Sequence, residues 1–337
     1  MPLSDELSLG SLIELQSRLE AAGLRTPLRA TALQSEASTR RIWVKAENLQ
    51  PTGSFKIRGA TNAISRLSSV QKAQGVVAYS TGNHAQAVAL AAQRAGIRAT
   101  IVMSRDVPSD KIDATMRLGA EVLMAESTSE ARRRCAERHA AEHDLALIPP
   151  YDDYAVMAGQ ATIGLEILSE CQPSAVIVPI GGGGLIAGVA AAIKQISPNT
   201  RVIGVEPEWE NDAYLSFRQG RRLALPKPSA SVADAVKVQI VGEKTFPLIR
   251  QYVDDIVLVS EEQIIQAISS PKNTRAALWS LLARWPLLLR SLVHGHLRLR
   301  WTLSRSLVEG ISPPSVETPC WTASRHDRRA NSAFQSV

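Results

Sequence analysis

The sequence predicts an α/β protein built around parallel β-sheets, and two observations support this. Between residues 42 and 268, short β-rich runs alternate with longer segments of helical periodicity, which is the order expected of βαβ units. Glycine-containing turns follow three of the predicted strands, as in strand-to-helix connections. The order of the strands within the sheets does not follow from the sequence.

The predicted elements follow one another in a regular order. An amphipathic helix is predicted within residues 1–23, and another begins after the turn at 51–54. The predicted strands cover residues 42–47, 75–80, 99–104, 121–126, 175–180, 201–207 and 254–260. The remaining predicted helices cover residues 84–96, 109–120, 130–143, 156–171, 185–196 and 261–268.

The positive charge of the chain is confined to its last part. The net charge is +6, and residues 271–337 contain ten Lys or Arg against three Asp or Glu, so the first 270 residues sum to about −1. This distribution argues against nucleic-acid binding as the main function. The composition after residue 270 is typical of a disordered or partner-binding tail, or of a coding sequence read out of frame.

Neither a secretory signal nor a membrane span is expected. The N-terminus lacks a basic region followed by an apolar one, and the apolar run at 278–297 is broken by Arg284, Pro286 and Arg290. The cysteines are odd in number and lack metal-like spacing, which fits ordinary thiols in the cytoplasm. They are Cys135, Cys171 and Cys320.

Lys56 lies between the turn at 51–53 and the start of a helix that Ser54 is suited to cap. The positive end of the helix dipole and the nearby Arg58 both disfavour an ammonium group at this place. The neutral amine is a nucleophile, so this position suits Schiff-base chemistry. The alternative is an exposed lysine on a surface helix.

Two further segments follow predicted strands and open predicted helices. The four glycines at 181–184 would let a phosphate approach backbone N–H groups at a helix N-terminus. The segment STGNHAQAVA at 80–89 groups hydroxyl, amide and backbone donors suited to an anion. Each segment alone also fits a structural turn, and His84 alone also fits a packing residue at a helix start.

Together the three segments are more specific than any one of them. All fall at or near the carboxyl ends of strands, where open α/β sheets bind ligands. In this order and spacing, SFKIRGA, STGNHAQA and GGGGLIAG resemble the fold type II pyridoxal-phosphate enzymes. Within them, the resemblance is greatest to threonine and serine dehydratases and to serine racemase. It covers roughly residues 15–268 and includes TPLRAT and KAENLQPTG.

The resemblance implies a role for each matching residue. Lys56 would bind pyridoxal 5′-phosphate as a Schiff base and, once freed by the substrate amine, remove the α-proton. Loss of the β-hydroxyl would then lead to a 2-keto acid and ammonia. The other implied cofactor-binding residues are Phe55, Asn83, Gly181, Gly182, Gly183 and Gly184. The implied substrate-binding residues are Ser80, Thr81, Gly82 and His84.

Thr81 leaves the reaction type open. In serine racemase a hydroxyl residue at this place is the second catalytic base, whereas many dehydratases have alanine there. Thr81 is therefore a candidate catalytic base or only a ligand of the carboxylate. Dehydration of L-threonine or L-serine is the expected activity. Racemisation of serine is the alternative, and 3-hydroxyaspartate dehydration belongs to the same mechanistic group.

The segment EPEWEND at 206–212 resembles a divalent-cation site found in several members of the family. Glu206 and Asp212 would supply carboxylates, and Glu210 would stand where a backbone carbonyl is used. Hard oxygen ligands suit Mg²⁺ or Ca²⁺. The alternative is an acidic loop that is simply solvated.

The resemblance also implies a division of the chain into domains. A small domain, residues 50–145, would carry Lys56 and the STGNH turn, and a large domain would combine residues 1–49 and 146–270. The cofactor would lie in the cleft between the two. A homo-oligomer acting on a small amino acid is expected.

The last residues, 271–337, depart from the family pattern. They lack the Glu-Pro-x-x-Ala segment and the Ser-Gly-Gly-Asn segment, whose serine partners the pyridine nitrogen in the family. A non-catalytic remnant of an enzyme is therefore a further hypothesis. Nucleic-acid binding through the arginine-rich tail is a weaker one.

Overall fold

The computed structural model describes residues 3–30, 41–226 and 231–269. The tail at 271–337, with Cys320 and the predicted departures from the family, lies outside the described residues. The strands are β1 Leu28–Ala30, β2 Trp43–Lys45, β3 Val76–Tyr79, β4 Ala99–Ser104, β5 Glu121–Ala125, β6 Ala146–Leu147, β7 Ala175–Pro179, β8 Arg201–Pro207 and β9 Asp255–Val259.

The helices account for more than half of the other described residues. They are α1 Leu9–Ala21, α2 Lys56–Ser65, α3 Ser69–Gln74, α4 Asn83–Ala95, α5 Ser109–Arg117, α6 Ser129–His143, α7 Tyr154–Glu170, α8 Gly184–Ile196, α9 Asp212–Gln219, α10 Thr245–Tyr252 and α11 Glu261–Ser269. None of the helices in the described ranges is long and apolar enough to cross a membrane.

Two parallel sheets organise the described residues, which confirms the predicted α/β class. One has the strand order β5-β4-β3-β6 and the other the order β7-β8-β9, and every neighbouring pair in both is parallel. The inner strands β3 and β4 are buried over most of their length, as expected of strands covered on both faces.

The strand predicted at 42–47 is present but lies in neither parallel sheet. It forms β2, which pairs antiparallel with β1 through Leu28 and Lys45 at one end and Ala30 and Trp43 at the other. The sequence pattern identified a strand but could not identify its partner, because strand pairing depends on tertiary contacts.

Helix α7 lies at the centre of the packing and contacts α8, α2 and α1. It is buried on all sides from Val156 to Ile167, which is expected of an interior helix, and most of these residues are apolar, the exceptions being Gln160, Thr162 and Glu166. Where α7 crosses α2, the backbones of Gly59 and Gly159 approach so closely that a Cβ on Gly159 would lie 2.5 Å from the Gly59 Cα. This close approach fixes α2, and with it Lys56, against the core.

Candidate active site

Lys56 is the first residue of α2 and points toward the segment that follows β6. Its Nζ donates a hydrogen bond of 2.6 Å to the backbone carbonyl of Pro150. The same Nζ lies 5.3 Å from the centre of the Phe55 ring. Ser54, the predicted N-cap, does not cap α2. Phe55 occupies the cap position, and the buried Ser54 hydroxyl has no hydrogen-bond partner among the described residues.

Burial of the amine lowers the pKa of Lys56 from 10.5 to about 8. The sequence predicted a lowered value but attributed it to the helix dipole and to Arg58. Arg58 is instead fully buried and paired with Glu47 and Glu166, so its charge is compensated. Loss of hydration is therefore the cause of the shift, because water stabilises the ammonium form more than the neutral amine.

The polar turn after β3 leads directly into α4, which begins at Asn83. The Ser80 hydroxyl accepts a hydrogen bond of 3.2 Å from the Gly82 N–H, so Ser80 shapes the turn and does not cap the helix. Thr81, Gly82 and Asn83 are all partly exposed. Their polar groups are therefore accessible to a ligand.

His84 is buried behind this turn and is held by a hydrogen bond of 2.9 Å between its Nε2 and the Ile148 carbonyl. A carbonyl only accepts, so Nε2 carries the proton and Nδ1 is a bare acceptor. Burial and then the charge of Lys56 lower the pKa of His84 from 6.5 to about 3. The imidazole is therefore neutral at physiological pH.

The segment 148–152 joins the separate parts of the site. The Ile148 and Pro150 carbonyls bind His84 and Lys56, and the Tyr151 side chain lies against the glycine turn. The Asp152 carboxylate accepts hydrogen bonds from backbone N–H groups at the start of α10. The donors are Glu243 at 2.9 Å, Lys244 at 2.8 Å and Thr245 at 3.3 Å.

The glycine turn at 181–184 leads from β7 into α8. There is no room for a side chain at its last three positions, and a Cβ on Gly181 would lie 3.1 Å from the Val236 backbone, which is a tight contact. A Cβ on Gly182 would meet the Tyr151 ring, and one on Gly184 would lie 2.8 Å from the Tyr151 Cβ. Gly183 has a positive φ of 88°, which also favours glycine. The carbonyl of Gly182 accepts a hydrogen bond of 2.8 Å from the Thr245 hydroxyl.

The backbone N–H groups of this turn are available to an anion. None of the N–H groups of residues 181–184 donates a backbone hydrogen bond to another described residue. They stand at the N-terminus of a helix of 13 residues, where the dipole favours negative charge. The turn therefore has the features of a phosphate cradle.

The three acidic residues predicted as a metal site lie together between β8 and α9 and are buried, with 0%, 2% and 1% of their surfaces exposed. They are Glu206, Glu210 and Asp212. They are thus not a solvated loop, which was the alternative reading. The Glu206 carboxylate accepts hydrogen bonds from the Ala213 and Tyr214 N–H groups, at 3.1 and 2.6 Å.

Burial raises the pKa of both Glu206 and Asp212. For Asp212 the value rises from 3.8 to about 8, and the charge of Glu210 contributes after burial. For Glu206 the rise is also due mainly to burial and then to the charge of Asp212. Buried carboxylates need a proton or a cation nearby, so the cluster has the chemistry of a cation site, although its three carboxylates do not each place an oxygen within 4.8 Å of the others.

The structure thus brings Lys56, His84 and the glycine turn together through the segment 148–152. The acidic cluster forms a second group. Sequence reasoning missed Tyr151 and Asp152, although the run PPYDD directly after a β-strand contains both. Their contacts depend on the tertiary structure, because the partners of Tyr151 and Asp152 lie in the turn at 181–184 and in α10.

The comparisons with known proteins agree with this geometry. A family model described as pyridoxal-phosphate dependent enzyme matches residues 19–270. The chain is 41% identical over 260 residues to the L-threo-3-hydroxyaspartate ammonia-lyase of Saccharomyces cerevisiae, which covers 77% of this chain and 79% of that protein. It is 38% identical over 313 residues to a catabolic L-threonine dehydratase of Staphylococcus aureus strain N315, covering 92% and 90% of the two chains.

The solved structure of maize serine racemase is also similar, with a TM-score of 0.75 and 34% identity over 82% of this chain and 86% of that one. The family match ends at residue 270, where the sequence departs from the expected pattern, whereas the S. aureus alignment is long enough to extend beyond it. The resemblance predicted from the motifs is confirmed, and so is the predicted cofactor. The chain belongs to the family of pyridoxal-phosphate dependent enzymes.

Proposed function

We propose that the protein is an ammonia-lyase of hydroxy amino acids that converts L-threonine or L-serine to a 2-keto acid and ammonia. One observation carries the proposal: Lys56, with a pKa lowered to about 8, lies beside a segment that contacts the glycine turn. The relatives named L-threonine dehydratase and L-threo-3-hydroxyaspartate ammonia-lyase support this reaction class. The name of the yeast relative keeps 3-hydroxyaspartate as a further candidate substrate.

The residues of the site fit pyridoxal phosphate. The N–H groups of residues 181–184 would bind its phosphate, and the Lys56 amine would hold its aldehyde carbon. Asn83 would donate a hydrogen bond to the ring oxygen, and Phe55 would pack against the ring. When bound, the cofactor supplies an electron sink for the negative charge that develops at the α-carbon of the substrate.

The lowered pKa of Lys56 suits its second task. Near pH 7.4 about a fifth of an amine with a pKa of about 8 is neutral, against about one part in a thousand at the ordinary value of 10.5, so far more of it is ready to take a proton from the α-carbon. Neutral His84 keeps its ring proton on Nε2 and directs the Nδ1 lone pair away from Ile148. The polar turn after β3 would bind the substrate carboxylate through Ser80, Thr81 and Gly82. His84 lies behind these three residues.

The first test is the visible absorption spectrum of purified protein mixed with pyridoxal phosphate. We expect a stable absorption band from cofactor bound to the protein. Borohydride reduction should then attach the cofactor permanently to Lys56. The matched control is Lys72→Ala, which changes a partly exposed lysine of α3, whereas Lys56→Ala should lose the band. Labelling of another lysine would refute the assignment.

Turnover is tested separately with L-threonine, L-serine and L-threo-3-hydroxyaspartate. The expected result is formation of 2-keto acid and ammonia in equal amounts, lost in Lys56→Ala and retained in Lys72→Ala. A protein that binds the cofactor at Lys56 without turning over any of the three would instead support the hypothesis of a non-catalytic remnant. That outcome would point to the departure of residues 271–337 from the family pattern.

Racemisation of serine is the second candidate activity, and similarity to maize serine racemase favours it together with Thr81. In this reading the Thr81 hydroxyl is a second base that acts on the face opposite Lys56. Production of D-serine from L-serine at a rate comparable with pyruvate formation would support it. Thr81→Ala should then abolish D-serine formation while 2-keto acid formation remains measurable, with Thr81→Ser as the conservative control.

We also propose that the acidic cluster holds Mg²⁺ or Ca²⁺ through the carboxylates of Glu206 and Asp212 and an oxygen of Glu210. Their burial and the raised pKa values of the first two support this, because a hard cation would offset the cost of burying the charges. The test is a divalent-cation titration of the thermal transition.

The domain division remains part of the proposal. The four-stranded sheet supports a small domain that begins near residue 50, but β6 at Ala146–Leu147 belongs to that sheet. We therefore place the second boundary after residue 147 instead of 145. We further propose a homo-oligomer in the cytoplasm, which is consistent with Cys135 and Cys171 as free thiols. Sedimentation velocity of the holoenzyme tests the oligomer.

A further inference from the structure

Helix α6 carries two histidines one turn apart near its C-terminal end. The rings of His139 and His143 have centroids 4.4 Å apart and are inclined by 59°. Glu142 lies next to them, and the three side chains each offer a ligand atom within 4.8 Å of the others. Of the His, Cys, Asp and Glu side chains in the described ranges, no other group of three meets this condition.

This geometry is close to that of a metal site. Two ligand atoms bound at about 2.0–2.1 Å to one ion lie at most about 4.2 Å apart, so small side-chain rotations would bring all three into range. The i, i+4 spacing places both imidazoles on one helix face. Two imidazole nitrogens and a carboxylate oxygen suit late first-row divalent metals, with water in the remaining positions.

The helix beneath these residues is firmly placed. Thr128 caps its N-terminus by accepting a hydrogen bond of 3.1 Å from the Ala131 N–H, and Ala136 is fully buried against the four-stranded sheet. Ligands on a rigid element lose less freedom when a metal binds. The negative end of the helix dipole also lies at His143, the last residue of α6, and favours a cation there.

The contacts that would compete with a metal are weak. Glu142 pairs with Arg138 at 4.0 Å, and both side chains are more than half exposed. Exposed ion pairs of this kind contribute little, so a metal would displace Arg138 at small cost. The residues of this site are separate from Lys56, the glycine turn and the acidic cluster.

We propose that His139, Glu142 and His143 bind one late first-row divalent metal ion, of which Zn²⁺ is the biologically common example. The site differs from the acidic cluster in chemistry, because imidazole prefers Zn²⁺, Cu²⁺ and Ni²⁺ whereas buried carboxylates prefer Mg²⁺ and Ca²⁺. It does not depend on the proposed activity, since none of its residues belongs to the active site.

The test is a calorimetric titration of the holoenzyme with ZnCl₂ in the presence of excess Mg²⁺, which occupies hard oxygen sites. One Zn²⁺ per chain should bind, and His139→Gln and His143→Gln should each weaken the affinity by about tenfold or more. Glutamine is a good helix former, so α6 should be preserved. Unchanged affinity in both variants would overturn the proposal.

The matched control uses His294 and His296, which are also closely spaced but lie outside the described residues. The double variant His294→Gln with His296→Gln should retain the same Zn²⁺ affinity as the unchanged protein. Loss of binding in this control, with retention in His139→Gln, would assign the metal to the tail and refute the site on α6.

A spectroscopic readout identifies the ligands directly. With one equivalent of Cu²⁺, the electron paramagnetic resonance spectrum of the holoenzyme should show coupling to two imidazole nitrogens. His139→Gln should reduce this to coupling with one nitrogen, and Glu142→Gln should retain both. A spectrum without nitrogen coupling, or one that His139→Gln leaves unchanged, would contradict the proposal.

Discussion

Arg58, two residues after Lys56 on α2, forms a buried, two-point ion pair with Glu166 of α7. The Arg58 Nη1 lies 2.5 Å from Glu166 Oε1 and its Nη2 lies 2.9 Å from Oε2. Glu47 binds the other side of the same guanidinium, with both distances at 2.8 Å. Burial alone would lower the pKa of Arg58, but the hydrogen bonds and charges of the two carboxylates raise it instead.

Replacement of Arg58 by methionine should strongly destabilise the protein. The side chain is 0% exposed, and its removal takes the guanidinium away from the buried Glu47 carboxylate and leaves Glu166 with Lys45, whose Nζ lies 2.7 Å from it. Breaking such a buried pair by removing one partner typically costs about 3–5 kcal/mol. Urea unfolding, followed by circular dichroism, measures the change in the free energy of unfolding.

The control for this prediction is Arg133→Met on α6. Arg133 pairs with Glu130 at 3.0 Å, but about half of each side chain is exposed, so the loss should be within about 1 kcal/mol. Similar changes in the two variants would contradict the role assigned to Arg58. A variant in which all three buried partners become apolar should recover part of the loss.

The rate at which Lys56 reacts with pyridoxal phosphate should depend on pH through the unusually low pKa of its amine. Only the neutral amine attacks the aldehyde, and burial lowers the pKa of Lys56 from 10.5 to about 8. The rate at which cofactor-free protein develops the visible band should therefore rise through about pH 8 and level off above it. Free N-acetyl-lysine amide, measured in parallel, should still be gaining reactivity near pH 10. A rate that keeps rising to pH 10 in the protein would contradict the effect of burial.

The glycine turn should tolerate no side chain at Gly183. Its φ of 88° is unfavourable for alanine, and a Cβ there would lie 2.7 Å from Ile249 Cδ1 and 2.8 Å from Thr245 Oγ1. The left-handed conformation alone costs about 1–2 kcal/mol, so Gly183→Ala should weaken cofactor binding by roughly tenfold. Spectrophotometric titration with pyridoxal phosphate gives the affinity. Gly10→Ala, in open space on α1, is the matched control and should leave it unchanged.

The motifs in the sequence predicted more of the active site than of its supports. Lys56, the polar turn and the glycine turn were recognisable because each combines a local conformation with a chemical group. Local pattern also predicted the parallel α/β class. The buried network around Arg58 was not predictable, since Glu47 and Glu166 are far from each other along the chain. The cause that the sequence predicted for the lowered pKa of Lys56 was wrong for the same reason, because burial depends on the tertiary structure.

The stability of the protein without divalent cations should fall as the pH rises from about 6.5 to about 8, above the range in which the lowered pKa of His84 acts in the opposite direction. The pKa of Asp212 is about 8 in the folded state, above its ordinary value of 3.8. In this window the folded state therefore keeps a proton that the unfolded chain has lost, and the unfolded state is favoured as the pH rises. Thermal unfolding at a fixed concentration of pyridoxal phosphate measures the trend.

A divalent cation should reverse this trend. Mg²⁺ or Ca²⁺ would take the place of the proton, so the gain in the melting temperature should be larger at pH 8 than at pH 5. Asp212→Asn removes one of the two carboxyl groups whose pKa is raised, so it should reduce the pH dependence and abolish most of the cation effect. Asp113→Asn, an exposed position on α5, is the matched control and should behave like the unchanged protein. If the two variants respond alike to both cation and pH, the acidic cluster is a structural cap for α9 and holds no metal.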